Sequence, residues 1–186
     1  MLQISNRYAQ EILVATWHFI CDDKRRAVNM QKISLLLLDI RSVHNVGSIF
    51  RTADAAGVEC IYLAGITPTP LGRFGEKRKD LSKVALGAEE SVPWKVVSDV
   101  LSFLDEKKKE GFEIVALEQS KKSINYKNYK PQKPVLLIVG NEVGGVSEDV
   151  LSVCDRVIEI PQYGKKESLN VSVATGIALF SLSDAH

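Results

Sequence analysis

Three short stretches of this chain hold more polar side chains than ordinary helix starts require. The first is Asn45-Val46-Gly47-Ser48-Ile49-Phe50-Arg51-Thr52-Ala53. The second is Gly140-Asn141-Glu142-Val143-Gly144-Gly145-Val146-Ser147. The third runs from Ile160-Pro161 through Ser168-Leu169-Asn170-Val171-Ser172-Val173-Ala174. One capping side chain suffices for a helix, yet the third stretch offers both Ser168 and Asn170, with apolar Leu169 and Val171 between and after them. Turns from strand to helix present free N–H groups and a positive dipole end, and so cradle ligands. A phosphate is a poor candidate for that ligand. Glu142 would repel it, and the chain lacks both Gly-x-Gly-x-x-Gly after the first strand and the Gly-x-x-x-x-Gly-Lys-Ser/Thr loop. A nucleoside-like ligand without a phosphate tail fits better. No Ser-His-Asp set is present, since only His44 borders one of the three stretches.

The elements that must position these residues follow from periodicity. Residues 33–38 (Ile-Ser-Leu-Leu-Leu-Leu) and 135–139 are continuous apolar runs, expected as strands buried on both faces. Asn45 is expected as the N-cap and Gly57 as the C′ residue of a helix between them, with a strand from Val58 to Leu63 next. Such a β-α-β unit implies parallel strands. Residues 64–93 are expected to be loop-rich, with no helix assigned, and Thr67-Pro68-Thr69-Pro70 cannot form regular structure. Further expectations are a helix over 97–110 stopped by Gly111, a strand over 112–117, a helix from Ser147 through Cys154, and a last strand over 157–160. The sum is an α/β domain of five parallel strands flanked by helices, spanning 33–186. A helical extension, residues 1–32, precedes it, with an amphipathic helix over 5–27.

Composition narrows the function classes. Net charge is +1 over 186 residues, so nucleic-acid contacts must come from local patches. Two are candidates. Arg73, Lys77, Arg78, Lys79 and Lys83 cluster near Phe74, and Lys121 to Lys133 forms a basic run with Tyr126 and Tyr129. Each is either a solvated face or a phosphate and stacking surface. Cys21, Cys60 and Cys154 are three, widely spaced and in apolar settings, which fits neither a disulfide framework nor a metal site. With no signal pattern and no membrane-length apolar run, a cytoplasmic protein without metal is expected.

In order and spacing the three stretches resemble the signature motifs of the SpoU (TrmH) family of RNA ribose 2′-O-methyltransferases, over about residues 33–182. The resemblance implies a SPOUT-type parallel sheet with a C-terminal trefoil knot, a homodimer, and S-adenosylmethionine bound in a bent form against the knot. It implies that Gly140, Ile160 and Leu169 form the cofactor pocket, with Leu117 at the preceding strand end. It places Arg51 at the reacting 2′-hydroxyl of tRNA or rRNA. An arginine is too basic to take a proton, so Arg51 is expected to organise phosphate and stabilise a developing alkoxide. Asn45 would position Arg51 or the ribose, Glu142 would orient the arginine, and Ser168 and Asn170 would hold the polar network. Many relatives carry an RNA-binding domain before the first motif, whereas about thirty residues precede it here, so recognition is expected from the basic loops, the N-terminal helix or the dimer surface. The rival readings are a catalytically inactive RNA-binding SPOUT protein in tRNA or ribosome maturation and an ordinary doubly wound nucleotide enzyme.

Overall fold

The computed structural model describes residues 31–183. The amphipathic helix expected over 5–27 lies outside them. Seven parallel strands form one sheet in the order β3-β2-β1-β6-β4-β7-β5. They are β1 (Ile33–Leu38), β2 (Ile61–Ala64), β3 (Trp94–Val97), β4 (Glu113–Leu117), β5 (Ile124–Asn125), β6 (Val135–Val139) and β7 (Arg156–Glu159). The helices are α1 (Val43–Ala55), α2 (Lys79–Ala85), α3 (Ala88–Ser91), α4 (Val100–Lys109), α5 (Glu148–Val153) and α6 (Val171–Ser183).

The two apolar runs are the centre of this sheet, because successive residues of β1 feed opposite cores. Ile33, Leu35 and Leu37 pack with Val46, Ile49 and Phe50 of α1, Leu81 of α2, and Ala178, Leu179 and Leu182 of α6. Leu36 and Leu38 pack on the other face with Leu104 of α4 and Val150 of α5. Covering both faces with helices removes the alternation of polar and apolar residues that an exposed strand shows.

Four expectations are corrected. The two edge strands, β3 and β5, make seven where five were expected; both are short and partly exposed, so apolar patterning is weak in them. Residues 64–93 are not loop throughout. Leu81 and Ala85 lie four apart and bury one stripe of α2, which the surrounding charges disguise. The fourth helix starts at Val100, capped by Asp99, whose carboxylate accepts from Ser102 N at 3.1 Å. The N-cap of α1 is Ser42, not Asn45: its hydroxyl accepts from Asn45 N at 3.2 Å. Gly57 does take the left-handed C′ position expected of it, at φ +69.

Tyr126 and Tyr129 offer no stacking patch. Tyr129 is buried and its hydroxyl donates to Glu113 Oε2 at 2.8 Å, while Tyr126 packs against the core. Burial and then this bond raise the phenol well above its ordinary pKa.

Candidate active site

The strand register brings the carboxyl ends of β4, β6 and β7 level, with Leu117 opposite both Val139 and Ile158. A crevice at the carboxyl ends of parallel strands is where this architecture holds ligands. A cleft of about 290 Å³ opens there. All four expected cofactor positions, Leu117, Gly140, Ile160 and Leu169, line it, as do Glu142 and Ser168. Asn45, Arg51 and Asn170 do not.

The floor of the cleft is the turn after β6. A Cβ at Gly140 would lie 2.4 Å from the Gly145 carbonyl and 2.6 Å from Val146 N, so only glycine lets the turn fold back this closely. Asn141 staples it. Its Oδ1 accepts from Val143 N and Gly144 N, and its Nδ2 donates to Asp39 O at 2.8 Å beyond the end of β1. From the other flank Glu118 Oε2 accepts from Val146 N at 2.9 Å. The wall comes from the segment before α6, where Gln119 Nε2 donates to Glu167 O at 2.8 Å.

Glu142 joins the first and second motifs. Its carboxylate accepts from Asn45 Nδ2 at 2.9 Å and from the backbone N–H groups of Arg41 and Ser42. Burial opposes its charge, but these donors outweigh burial and hold the carboxyl below its ordinary 4.5. The third motif is joined in turn: Asn170 Nδ2 donates to Asn45 Oδ1 at 3.1 Å. Asn170 Oδ1 accepts from Ser172 N at 2.9 Å and Ser172 Oγ at 2.6 Å, so Asn170 caps α6 and bonds across to Asn45 at once. Ser42 takes the capping role on α1, and that is why the Asn45 amide is available. The order of donors is set by the carboxylate: an acceptor only, it turns the Asn45 NH₂ toward itself and the Asn45 carbonyl toward Asn170.

One expected contact is absent among the described residues. Glu142 makes no ion pair with Arg51, its acceptor sites being turned to Asn45 and the two backbone donors. Arg51 makes none with Asp54 either, whose Oδ1 accepts from Ser91 Oγ at 2.7 Å. Six residues beyond Asn45 on α1, Arg51 stands about 9 Å further along the axis and roughly 120° round it. It is exposed, beside Thr52, against which Gly176 of α6 packs at 3.4 Å from a would-be Cβ. Ser168 is exposed at the cleft edge.

Sequence reasoning missed Glu118, Gln119, Glu159, Gln162 and Glu167, which also line the cleft, and Ser172. Glu118 and Glu159 were discoverable, since each ends or follows a strand whose neighbours were already suspected. Gln162 and Glu167 lie in an irregular segment and carry no such signal. No group of three or more His, Cys, Asp or Glu among the described residues could hold a metal ion. No helix among them is long and apolar enough to cross a membrane.

Residues 32–180 match the SpoU rRNA Methylase family. The chain belongs to that family. A tRNA (guanosine(18)-2′-O)-methyltransferase of Aquifex aeolicus is 38% identical over 151 residues, covering 81% of this chain and 68% of the relative. The crystal structure of the A. aeolicus TrmH/SpoU tRNA modifying enzyme superposes with TM-score 0.74 at 30% identity, over 95% of this chain and 84% of that one. An AdoMet-bound rRNA methyltransferase from Sinorhizobium meliloti gives the same TM-score and identity, over 82% of this chain and 56% of that one. The SpoU domain here spans 58–59% of the length of further TrmH-family relatives from Bacillus subtilis and Staphylococcus aureus. Its parallel sheet and helices are those of SpoU methyltransferase structures.

Proposed function

We propose that this SpoU protein transfers a methyl group from S-adenosylmethionine to a ribose 2′-hydroxyl of tRNA or rRNA. The observation that carries the reading is the charge of the cleft. Four glutamates, Glu118, Glu142, Glu159 and Glu167, line it, with no lysine or arginine among the described residues. Such a lining disfavours a nucleoside phosphate and suits a ligand with a neutral adenine and cationic sulfonium and amino groups. Leu117, Val139, Ile160, Leu169 and Val171 give the apolar wall that a planar base needs. The residues present therefore fit the cofactor, whose contribution is an activated methyl on sulfur.

The chain must supply the rest. Glu142, Asn45 and Asn170 form a fixed polar array beside the cleft, whose side chains cost no reorganisation when charge develops. Arg51 has no ion-pair partner among the described residues and is available to an RNA phosphate or to the oxygen that loses its proton. A permanent cation stabilises an alkoxide without itself acting as base.

The reading includes a knot and a dimer. The bond from Gln119 to Glu167 and the packing of α6 on residues 126–128 support a C-terminal segment tucked beneath the loop that follows β4. Leu169, Val173 and Phe180, all exposed and the last two one heptad apart on α6, support a helix face covered by a second copy.

The experiment is transfer of labelled methyl to tRNA and rRNA from an undermodified strain, followed by digestion to identify the methylated nucleotide. Wild type that binds S-adenosylmethionine yet labels neither pool would return the protein to the RNA-binding reading.

A further inference from the structure

The turn from Leu71 to Lys77 contributes nothing to the core, yet it is braced. Its ends pair as an antiparallel bridge, Gly72 N donates to Glu76 O at 2.7 Å, and Gly75 N donates to Gly72 O at 3.0 Å. The Glu76 carboxylate accepts from Phe74 N at 3.0 Å. Gly75, at φ +83, reverses the chain where a side chain would be strained. The tip so produced is Phe74, 90% exposed. The braced turn holds this phenyl ring clear of the protein, where its face is open to solvent.

The neighbouring charges say which partner. Lys77 pairs with Glu90 at 2.6 Å and Arg78 with Asp80 at 2.7 Å, so two of the five cations in this run are already neutralised locally. Arg73, Lys79 and Lys83 make no ion pair among the described residues, and all three are exposed. Lys79 and Lys83 are four apart on α2 and share one side of it. That helix rests on α1: a Cβ on Gly47 would sit 2.9 Å from Val84 Cβ and 3.0 Å from Leu81 O. Lys79 and Lys83 thus sit on a helix packed against the one that carries Asn45 and Arg51, and the turn with Arg73 and Phe74 leads into it. An apolar protein groove would accept the ring but not the cations; single-stranded nucleic acid accepts both.

We propose that Phe74 stacks on an unpaired RNA base while Arg73, Lys79 and Lys83 hold the flanking phosphates, which makes this turn an RNA-positioning element for the site on α1. The inference rests on the RNA methyltransferase reading and adds to it the kind of RNA taken, one with a splayed base near the target ribose.

The test is binding of total tRNA, total rRNA and single-stranded oligo(U) by full-length variants, with calorimetric titration of S-adenosylmethionine alongside. Phe74→Ala is expected to lose about tenfold in RNA affinity, within the range of one lost base stack. Phe74→Trp should stay within about twofold of wild type, and Phe74→Leu should resemble alanine, because leucine keeps apolar area without a flat face. Arg73→Ala should lower the slope of log affinity against log salt by about one. Cofactor affinity should be unchanged throughout, which shows each variant is folded. Unchanged RNA affinity in Phe74→Ala overturns the proposal while leaving the methyltransferase reading intact. Wild-type affinity in Phe74→Leu overturns stacking in favour of an apolar contact. A wild type that binds S-adenosylmethionine but no RNA removes the parent reading and this one together.

Discussion

Asn170 Nδ2 donates to Asn45 Oδ1 at 3.1 Å, a bond between residues 125 apart in sequence. Through it α6 and α1, which pack on the same face of the sheet, share one polar array anchored by the charge of Glu142. Asn45 does not line the cleft, so its bonds serve geometry rather than cofactor contact.

Asn45→Ala should therefore separate the two roles. Methyl transfer is expected to fall at least tenfold, because Glu142 and Asn170 each lose the side-chain partner that ties them into one array. The dissociation constant for S-adenosylmethionine should stay within about twofold. A matched loss of cofactor affinity, measured by calorimetry, would make Asn45 part of the pocket instead.

The charge of Glu142 gives a signed pH dependence. Its folded pKa is depressed below 4.5, so folding is favoured by this group at every pH above the unfolded value, and that contribution is lost as pH falls through the folded one. Wild type and Glu142→Gln should differ in urea midpoint at pH 7, and the gap should narrow as pH falls below 4.5. A gap that stays constant however far the pH is lowered below 4.5 would show that the ionised carboxylate is not what the donors hold.

Arg51→Ala is expected to abolish RNA methylation with little change in stability, within about 0.5 kcal/mol, since the guanidinium is exposed and unpaired among the described residues. Arg51→Lys should recover little, because a point charge cannot reproduce a planar fork on phosphate. Thermal unfolding and transfer assays on the same preparations check both halves. A large drop in melting temperature would assign Arg51 to structure.

Much of this arrangement was legible in the sequence, and the losses have particular causes. Residues 33–38 and 135–139 announced themselves because strands covered on both faces are apolar throughout. Trp94-Lys95-Val96-Val97 did not, since this edge strand fully buries none of its residues, exposes Lys95 and Val96, and follows a proline. Ser42 and Asn45 are both good caps three residues apart, and local sequence cannot choose between them. The choice is made by Glu142, 97 residues distant, which claims the Asn45 amide. Tyr129 read as surface because lysines surround it, while Glu113, sixteen residues earlier, draws its hydroxyl inward. The lining positions Leu117, Gly140, Ile160 and Leu169 came from resemblance, and no spacing rule would have gathered them.

Gly140→Ala tests the floor of the cleft. The added carbon would sit 2.4 Å from the Gly145 carbonyl, and backbone cannot rotate away as a side chain can. The turn must open, which breaks the paired bonds between Asn141 and Gly145 and loosens the grip of Glu118 on Val146 N. A destabilisation of about 1–3 kcal/mol is expected, the usual cost of overpacking. Cofactor affinity should fall by at least tenfold even under conditions where circular dichroism shows the sheet intact, because displaced Glu142 and Gly145 both line the cleft. Gly144→Ala is the matched control: its would-be Cβ meets only Asn141 Oδ1, at 3.9 Å, and φ there is not in the left-handed region. Equal cofactor loss in both variants would show that the turn as a whole tolerates no substitution, and that close approach at Gly140 is not the reason.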